Sequence, residues 1–416
     1  MNLRDAMEQI EFIKIDKELK HDEVLKFIKD KNHEKQPLLL NVEGKKVAKN
    51  FIATRELLCK YLGVRKEDLA KHLSNFTPIK KIDILESGLD LESKKVNLYD
   101  LPILRYYKGD GGRYVTAGVV IARKPNSDYL DTSSYNASIH RLMLIDENKF
   151  AARLVPPRHT YLLWREAIEE NQELPVAIVV GVHPLFLFAA STRVPEGMEF
   201  KYAAWLMGGL KLYEVDKMLV PDAEIVLIGR ITAEKVKEGP FVDITGTYDK
   251  VRDEPVVEID KMYCKKNPIY YSIIPGGSEH QILMGIPFEP VIYKTVSNVC
   301  KVKNVVMTAG SKHYLHCVVQ IEKETQGDGK NAIIAALSAH PSMKGVVVVD
   351  DDINIYSYED VEFAIATRFQ ADRDFVMIKN ARGSSLDPSS NATTTKWGID
   401  ATKYFDRRED FERIEE

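Results

Sequence analysis

The chain has 416 residues, which is more than one hydrophobic core usually serves, so its length predicts two or three domains. Hydrophobic residues make up 44% of the sequence and charged residues 29%, as in an ordinary globular protein. The formal net charge of -4 argues against a general binder of nucleic acid or of anionic membranes, so we expect small-molecule partners.

The N-terminus and the cysteines indicate the compartment. The first residues, MNLRDAMEQIEF, lack the apolar segment of a secretory signal, and no later run approaches the ~18 uncharged apolar residues of a membrane span. We therefore expect a cytoplasmic protein. The four cysteines are far apart and form no CxxC pair, which argues against a zinc knuckle or a disulfide framework and favours buried, reduced thiols: Cys59, Cys264, Cys300 and Cys317.

Residues 1–104 mix segments of helical period with short strands, and we expect an N-terminal α/β domain there. The predicted strand and turn is PLLLNVEG, and the predicted helices are DAMEQIEFI, HDEVLKFIKD and FIATRELLCKYLG, the last closed by Gly63.

Residues 105–290 are rich in β-type runs that Gly, Pro and Asp interrupt. The runs are RYVTAGVVIAR, SIHRLMLID, KFAARLV, AIVVGV, AEIVLIGRI, PVVEIDKMYC and PIYYSIIP. Their spacing suggests a barrel. Two helical insertions are expected within it, at TYLLWREAIEENQ and EFKYAAWLMGGLK.

Residues 291–416 return to an alternating pattern. Strand, helix, strand, helix and strand are predicted in turn for HYLHCVVQI, GKNAIIAALSA, KGVVVVDDDINI, YEDVEFAIATRF and DFVMIK. This order predicts a right-handed βαβ layer. We expect the acidic run Asp350–Asp352 to be a solvated turn rather than a metal site. The fold class predicted for the whole chain is a multi-domain α/β (α+β) protein.

Three polar residues surround two short apolar runs between positions 136 and 161. Asn136 and Arg141 are five residues apart, and His159 follows 23 residues after Asn136, so a β-hairpin could bring all three together. Asn and neutral His are ligands for a divalent cation such as Mn²⁺ or Mg²⁺, although such an ion normally needs a carboxylate as well. His159 alone could equally be a hydrogen-bonded interfacial residue. Arg141 would be costly to bury unpaired, so it should face an anion or a carboxylate.

Six further segments carry recognisable motifs: NASIHR, RLVPPRH, PDAEIVLIGRI, EGPFVDITGTY, IIPGGSEHQILMG, and LDPSS with KWGIDATK. They span roughly residues 100–405, and together, in this order, they resemble the UbiD family of reversible decarboxylases. The resemblance implies an N-terminal α/β domain at 1–104, a central split β-barrel of flavin-reductase type at 105–290, and a C-terminal α/β domain at 291–416 that dimerises. A homodimer or a higher homo-oligomer is therefore expected.

The resemblance also implies prenylated FMN as cofactor, made available by a flavin prenyltransferase. Its phosphate would be held through a divalent ion, usually Mn²⁺, with K⁺ nearby. By motif, Asn136 and His159 match the family's Asn and His metal ligands. Relatives often have an acid where this chain has Ile228, so the third ligand is placed relative to the EGP motif instead, which gives Glu234. The residues that match flavin contacts are Ile139, His140, Arg141, Arg153, Leu154, Val155, Thr160 and, for the phosphate, Lys396.

Family chemistry needs an acid beside an arginine. A guanidinium can hold the substrate carboxylate in a bidentate manner, and the carbon that loses CO₂ must then be reprotonated. The resemblance gives these roles to Arg141 and Glu279. His280 is a second group that could help, because the loop has no other acid upstream. Asp243 is expected to be a structural, turn-capping or K⁺-binding residue.

The short PGGSEH loop and the compact length resemble the archaeal branch of the family, which decarboxylates anhydromevalonate 5-phosphate to isopentenyl phosphate for isoprenoid synthesis. This substrate is the leading expectation. An aromatic acid decarboxylase, such as one acting on 3-polyprenyl-4-hydroxybenzoate, is the first alternative. A non-catalytic FMN-binding or redox module is the second, and the presence of both Arg141 and Glu279 disfavours it.

Overall fold

The structure is a computed structural model that describes residues 1–79, 81–391 and 393–414. The chain divides into two compact units. The first unit comprises residues 1–63 and 77–280, and the second comprises residues 64–76 and 281–416. The N-terminal segment and the β-rich middle of the chain therefore form one unit, and a short N-terminal piece belongs to the other.

Within the described residues the helices are α1 (Leu3–Gln9), α2 (Val24–Asp30), α3 (Arg55–Leu62), α4 (Leu69–Ser74), α5 (His159–Glu169), α6 (Pro184–Ser191), α7 (Glu199–Met207), α8 (Ser278–Gly285), α9 (Glu289–Val296), α10 (Asp328–Ala339) and α11 (Tyr358–Arg368). No helix in the described part of the chain is long and apolar enough to cross a membrane.

The strands of the first unit are β1 (Ile13–Leu19), β2 (Leu38–Val42), β3 (Lys45–Lys49), β4 (Ile82–Leu85), β5 (Glu92–Lys94), β6 (Tyr114–Val115), β7 (Val119–Arg123), β8 (Tyr135–Ile139), β9 (Leu142–Asp146), β10 (Lys149–Ala152), β11 (Leu174–Val180), β12 (Leu210–Val215), β13 (Met218–Pro221), β14 (Ile225–Glu238), β15 (Phe241–Val242), β16 (Tyr248–Asp249), β17 (Arg252–Cys264) and β18 (Ile269–Tyr271). Those of the second unit are β19 (Lys301–Met307), β20 (His316–Glu322), β21 (Gly345–Asp350), β22 (Phe375–Arg382) and β23 (Thr393–Ala401).

A nine-stranded antiparallel sheet dominates the first unit, in the order β6-β9-β10-β17-β14-β11-β7-β8 with β5 paired to β17. Its longest pair is β14 with β17, in which Glu238 lies opposite Arg252. Strands β9 and β10 form a hairpin, whereas β8 pairs with β7. The β-rich character predicted for this region is confirmed, and the end of β14 comes to lie near the turn that follows β8.

The N-terminal segment builds a separate four-stranded sheet, in the order β1-β2-β3-β18. Its last strand comes from PIYYSIIP, which the sequence pattern had grouped with the barrel; all three of its residues are buried, and it pairs in parallel with β3. Helix α3 ends as predicted, because Gly63 has a φ of 66° and its N–H bonds back to the last turn.

Helix α6 was not predicted. Every residue from Pro184 to Ala190 is buried, so the helix is apolar on all sides and has no amphipathic period to reveal it. His183 caps its N-terminus, where Nδ1 accepts the N–H of Leu185 at 3.1 Å.

The second unit has a five-stranded sheet in the order β19-β20-β21-β23-β22. Strands β20, β21 and β23 are mutually parallel, and α10 and α11 follow β20 and β21 as the alternating pattern predicted. The acidic run after β21 is an ion-pair cluster: the buried Arg368 contacts Asp350 at 3.0 Å and Asp352 at 2.7 Å. None of the four cysteines, all of which lie in the described residues, forms a disulfide, and Cys300 is only half-buried.

Candidate active site

Arg141 lies in the tight connection between β8 and β9, and its side chain is 9% exposed. Nε donates to Glu238 Oε1 and Nη2 to Glu238 Oε2, both at 2.9 Å, which is a bidentate pair. Tyr114 donates from Oη to the same Glu238 carboxylate at 3.1 Å. The expectation that Arg141 faces a carboxylate is confirmed, and the partner is the last residue of β14.

Two further carboxylates surround this guanidinium, and both lie on the short β15–β16 hairpin or in its loop. Arg141 contacts Asp249 Oδ2 at 3.0 Å and Asp243 Oδ2 at 3.4 Å, while its guanidinium carbon is 4.8 Å from the centroid of the Phe241 ring. Burial would raise the pKa of Asp249, but a hydrogen bond from Arg252 and the charge of Arg141 lower it overall. The site therefore keeps several negative charges around one buried cation.

Glu279 is not paired with Arg141, and the expected pairing is wrong. Its side chain is buried, Oε2 accepts the N–H of Asn50 at 3.1 Å, and Oε1 accepts the N–H of Ile52 at 3.0 Å and the hydroxyl of Tyr271 at 2.5 Å. Burial raises the pKa of Glu279 overall. The hydrogen bonds and the charge of the buried Lys49 lower it, but by less. Glu279 is the second residue of α8, and the backbone after β3 takes up both of its oxygens.

The next residue, His280, is the group on this helix that is close enough to Arg141 for their charges to interact. Burial lowers the pKa of His280, the charge of Asp243 raises it, and the charge of Arg141 lowers it. Nδ1 accepts the N–H of Gly276 at 3.0 Å, so in the neutral ring the proton is on Nε2. His280 can therefore present an N–H group on the side away from its own loop.

A compact hydroxyl cluster fixes the side chain of Asn136 on β8. Its Nδ2 donates to Thr160 Oγ1 at 2.8 Å and to Ser138 Oγ at 3.0 Å. His140 joins the cluster: its Nδ1 faces the carbonyl of Arg153 at 2.9 Å, and its Nε2 contacts both hydroxyls. Because the amide nitrogen of Asn136 is used, its oxygen is the atom that can face a ligand.

His159 begins α5 and contacts Glu199, the first residue of α7, with Nδ1 to Oε1 at 3.1 Å. Glu199 is buried, and among the described residues its Oε2 has no hydrogen-bond partner. Within the described part of the chain no three His, Cys, Asp or Glu side chains converge as metal ligands. A divalent ion here would therefore need an amide oxygen such as that of Asn136, or ligands from a bound cofactor.

Glu234 does not belong with this pair, and its assignment as the third ligand is corrected. Its side chain is 54% exposed and its ion-pair partner is Lys149 on β10, at 3.5 Å. The residue lies in the part of β14 where the register with β17 shifts, and it points to solvent. The buried carboxylate of the same strand is Glu238, four residues further along in the EGP motif itself.

The remaining residues predicted to contact the flavin differ in their burial and in their hydrogen-bond partners. Arg153 donates to Glu254 Oε1 at 2.5 Å, and the N–H of Leu154 donates to Oε2 of the same residue at 3.1 Å. Ile139 is half-buried opposite Val119, and Val155 is exposed. These residues lie on the same stretch of chain as the hydroxyl cluster.

Lys396 has a different environment in the second unit. Its side chain is buried, and Nζ donates to the carbonyl of Pro341 at 2.8 Å and to that of Leu337 at 3.4 Å. It therefore caps the C-terminal end of α10, where carbonyls lack partners within the helix. Two of its three N–H donors are bonded inside its own unit, and the expectation that Lys396 reaches a cofactor phosphate stays a prediction.

The residues present fit a divalent cation. The carboxylate of Glu199 holds His159 through Nδ1 and leaves Nε2 for a ligand, Asn136 offers its amide oxygen, and an unbonded carboxylate oxygen lies beside His159. Sequence reasoning missed Glu238, Asp249, Tyr114 and Glu199. Of these, Glu238 could have been found, since it is the acid of the EGP motif.

Comparison of the sequence with models of known protein families identifies the class of the protein. Protein-family models described as "3-octaprenyl-4-hydroxybenzoate carboxy-lyase Rift-related domain" and "3-octaprenyl-4-hydroxybenzoate carboxy-lyase C-terminal domain" match residues 83–278 and 281–401. The chain belongs to the UbiD family.

Individual members of the family are similar to this chain over nearly its whole length. Anhydromevalonate phosphate decarboxylase of Archaeoglobus fulgidus is 63% identical over 416 residues, covering 100% of this chain and 96% of the relative. The UbiD-class enzyme HmfF from Pelotomaculum thermopropionicum, solved in complex with FMN, is similar with a TM-score of 0.93 and 33% identity over 100% of this chain and 97% of that chain. An evolved dimeric form of HmfF in complex with prFMN has a TM-score of 0.88 and 30% identity, again over 100% and 97%.

Proposed function

We propose that the protein is a non-oxidative decarboxylase that converts trans-anhydromevalonate 5-phosphate to isopentenyl phosphate and CO₂. The observation that carries this proposal is the 63% identity, over the whole chain, to a relative named for that reaction. The buried guanidinium of Arg141 supports it, because the substrate class must present a carboxylate to a fixed cation.

Arg141 orients the substrate carboxylate. Its Nε and Nη2 edge is held by Glu238, whereas Nη1 makes only the long 3.4 Å contact with Asp243. The Nη1 edge is therefore the one that a substrate carboxylate can take over with the smallest loss of existing bonds. Glu238 and Asp249 keep the guanidinium in one orientation while the substrate loses CO₂.

His280 supplies the proton that replaces CO₂ on the substrate carbon. To donate the Nε2 proton the ring must first be protonated on Nδ1, which releases the bond from Gly276. Burial lowers the pKa of His280 and opposes this protonation, whereas the charge of Asp243 and that of a substrate carboxylate favour it. Glu279 is the alternative donor on the same helix, but three hydrogen bonds already enclose its carboxyl group. His280 is thus the better-placed general acid.

The cofactor of the proposal is prenylated FMN, made by a flavin prenyltransferase. It would supply the reactive centre that adds to the C=C bond conjugated with the carboxylate. Asn136 and His159 would hold a divalent ion, Mn²⁺ by preference, at the flavin phosphate, and Glu199 rather than Glu234 would supply the carboxylate. Glu199 is favoured because it is buried, lies 3.1 Å from His159 and, among the described residues, leaves Oε2 unbonded. K⁺ would be a second ion near the phosphate.

The nine-stranded antiparallel sheet is, in this proposal, a split barrel of flavin-reductase type. We further expect a homodimer or a larger homo-oligomer formed through the second unit. The edge strand β22 supports that expectation, since Phe375, Met377 and Ile378 are all more than a third exposed on it. The dimeric form of a similar enzyme is consistent with it.

A comparison of substrates tests the proposal. Protein co-expressed with a flavin prenyltransferase is given anhydromevalonate 5-phosphate, cinnamate or 4-hydroxybenzoate, and CO₂ is measured. We expect the protein to prefer anhydromevalonate 5-phosphate. The two aromatic acids carry no phosphate, so the polar groups of a phosphate-binding pocket would be left without partners when either one binds. A preference for an aromatic acid would contradict the proposed substrate but would leave the protein assigned as a decarboxylase. Binding of flavin without any CO₂ release would favour a non-catalytic module.

A further inference from the structure

Asp243 lies in the loop of the β15–β16 hairpin and contacts both the guanidinium of Arg141 and the loop that precedes α8. Its backbone N–H donates to the carbonyl of Thr247 at 3.0 Å, and its carbonyl accepts the N–H of Gly246 at 2.9 Å. A Cβ built at Gly276 would lie 3.1 Å from that same carbonyl oxygen, so the two loops are in direct contact. The backbone of Asp243 is therefore held in place, and its carboxylate can change position only by rotation of the side chain.

Of the three carboxylates around Arg141, that of Asp243 makes the longest contact with it. Glu238 makes two bonds of 2.9 Å to the guanidinium. Asp249 lies 3.0 Å from the guanidinium and is also paired with Arg252 at 2.6 Å. Among the described residues, Oδ2 of Asp243 makes the 3.4 Å contact with Nη1 and no other hydrogen bond. A substrate carboxylate that binds at Nη1 therefore displaces Asp243 before it displaces the other two.

The charge of the same carboxylate acts on His280. The loop of Asp243 is in contact with Gly276, whose N–H is bonded to Nδ1 of the His280 ring at 3.0 Å. Burial lowers the pKa of His280, the charge of Asp243 raises it, and the charge of Arg141 lowers it. The neighbouring carboxylate of Glu279 is bonded to the backbone that follows β3. Asp243 and Arg141 thus act on the ring in opposite directions.

The reaction requires His280 to gain a proton and then to lose it. Conversion of a carboxylate to CO₂ and a new C–H bond consumes one proton in each turnover. While Asp243 contacts Arg141, their opposite charges offset each other at the ring, and burial favours the neutral form. A substrate carboxylate at Nη1 instead offsets the charge of Arg141 and leaves the charge of Asp243 to act on His280, which favours the protonated ring.

We propose that Asp243 is a positioning residue that couples substrate binding to the protonation of His280. The substrate carboxylate takes the place of Asp243 at Nη1 of Arg141, and the freed carboxylate stabilises the proton that the ring takes up from solvent. When CO₂ leaves, the electron pair of the broken C–C bond accepts the proton of the ring, and Asp243 returns to Arg141. This inference rests on the proposed function, because it takes Arg141 as the carboxylate-binding group and His280 as the acid.

Proton uptake on binding tests this coupling directly. FMN-loaded protein lacks the prenylated reactive centre, so it should bind anhydromevalonate 5-phosphate without turnover. Calorimetric titrations in buffers of different ionisation enthalpy, from about pH 5 to 8, give the number of protons taken up per ligand bound. The parent should take up more than His280→Asn, by as much as about one proton, and the contribution of the ligand phosphate cancels in this difference. Equal uptake by the two proteins would overturn the inference.

Asp243→Asn removes the charge and nearly keeps the size of the side chain, so its proton uptake should fall toward that of His280→Asn. In protein loaded with prenylated FMN, kcat depends on the protonated ring and falls as the pH rises through the pKa of His280 in the complex. This fall should occur about one pH unit or more lower in Asp243→Asn. Asp243→Glu keeps the charge and should recover part of the shift. Asp253→Asn is the matched control, since Asp253 is an exposed acid of β17 paired with Lys237, and its profile should match that of the parent.

The outcomes separate this inference from the proposed function. If Asp243→Asn loses activity but keeps the proton uptake and the pH profile of the parent, Asp243 has only a structural role, and His280 remains the acid. The pH at which kcat falls does not depend on the fraction of folded protein, and thermal melting of each variant measures that fraction. If the parent does not bind anhydromevalonate 5-phosphate, the proposed substrate is wrong and the inference fails with it.

Discussion

Arg141 and Glu238 face each other through two parallel hydrogen bonds, Nε to Oε1 and Nη2 to Oε2, each 2.9 Å long. One residue follows β8 and the other ends β14, so the geometry of the nine-stranded sheet sets this pair. Glu238 has no exposed side-chain surface, and Arg141 retains 9%. The pair leaves the Nη1 edge of the guanidinium as the part that can serve a ligand.

Replacement of Glu238 should disturb both the site and the fold. Glu238→Gln removes a buried negative charge that Arg141 and Tyr114 contact, and we expect a loss of about 1–3 kcal/mol in the free energy of unfolding. Mn²⁺ content should stay close to the parent value, because the Glu238 carboxylate serves Arg141 and Tyr114 and not the ion. Denaturant unfolding and metal analysis check these results. The control is Glu234→Gln, which lies on the same strand but pairs with Lys149 in solvent and should change neither. If only Glu234→Gln lost Mn²⁺, the third ligand would be Glu234 after all.

His280→Asn should slow turnover by a factor of about 10² to 10⁴, since positioned general acids contribute rate factors of that size. The substitution keeps a polar side chain near Gly276 but removes the group that can deliver a proton. Substrate binding should remain, because Arg141 is unchanged. Single-turnover decarboxylation and a substrate-induced change in the flavin spectrum measure the two effects separately. Full activity in the variant would return the acid role to Glu279 or to water.

Glu279→Gln should act on stability instead. The amide can accept only with its oxygen, so one of the contacts to Asn50 and Ile52 becomes unfavourable, and we expect a loss of about 1–3 kcal/mol in the free energy of unfolding. Decarboxylation per folded molecule should stay close to the parent value. Thermal melting and kinetics on the same preparation check this prediction. If turnover instead slowed by about 100-fold or more while stability was unchanged, Glu279 would be the acid.

The buried His183 ring predicts sensitivity to acid. Burial lowers its pKa from 6.5 to about 4, so the folded state holds a neutral ring while the unfolded chain takes up a proton. Stability from this residue is present above pH 6.5 and is lost as the pH falls toward 4, by about 3 kcal/mol in total. His183→Asn, which can still cap α6, should flatten this part of the stability profile. The half-buried His33 offers a control, and a profile of His183→Asn as steep as that of the parent contradicts the prediction.

Much of the fold could be predicted because its signals are local. Gly63 ends α3 through a left-handed backbone, and the alternation from β20 to α11 follows from hydrophobic period alone. Helix α6 and strand β18 show where local signals fail. The first is apolar on every side, and the second pairs with β3, more than 200 residues earlier in the chain.

The site was predicted less completely, for a related reason. Asn136, Arg141 and His159 were found because their residue types are informative by themselves. The partners of these residues depend on long-range contacts: Glu238 with Arg141 across the sheet, and Glu199 with His159 between two helices. Glu279 matched a motif, yet the backbone N–H groups of Asn50 and Ile52 already occupy its oxygens.

Single-turnover decarboxylation of anhydromevalonate 5-phosphate labelled with ¹³C at the carboxylate tests most directly whether Arg141 holds the acid that loses CO₂. Prenylated-FMN-loaded parent protein should release one labelled CO₂ for each isopentenyl phosphate formed. Arg141→Lys should bind the flavin but lose rate by about 10²-fold or more, since an ammonium cannot reproduce the bidentate geometry. Arg230→Lys, which alters a surface ion-pair cluster, should match the parent. No labelled CO₂ from the parent, or an unchanged rate in Arg141→Lys, would contradict the assignment.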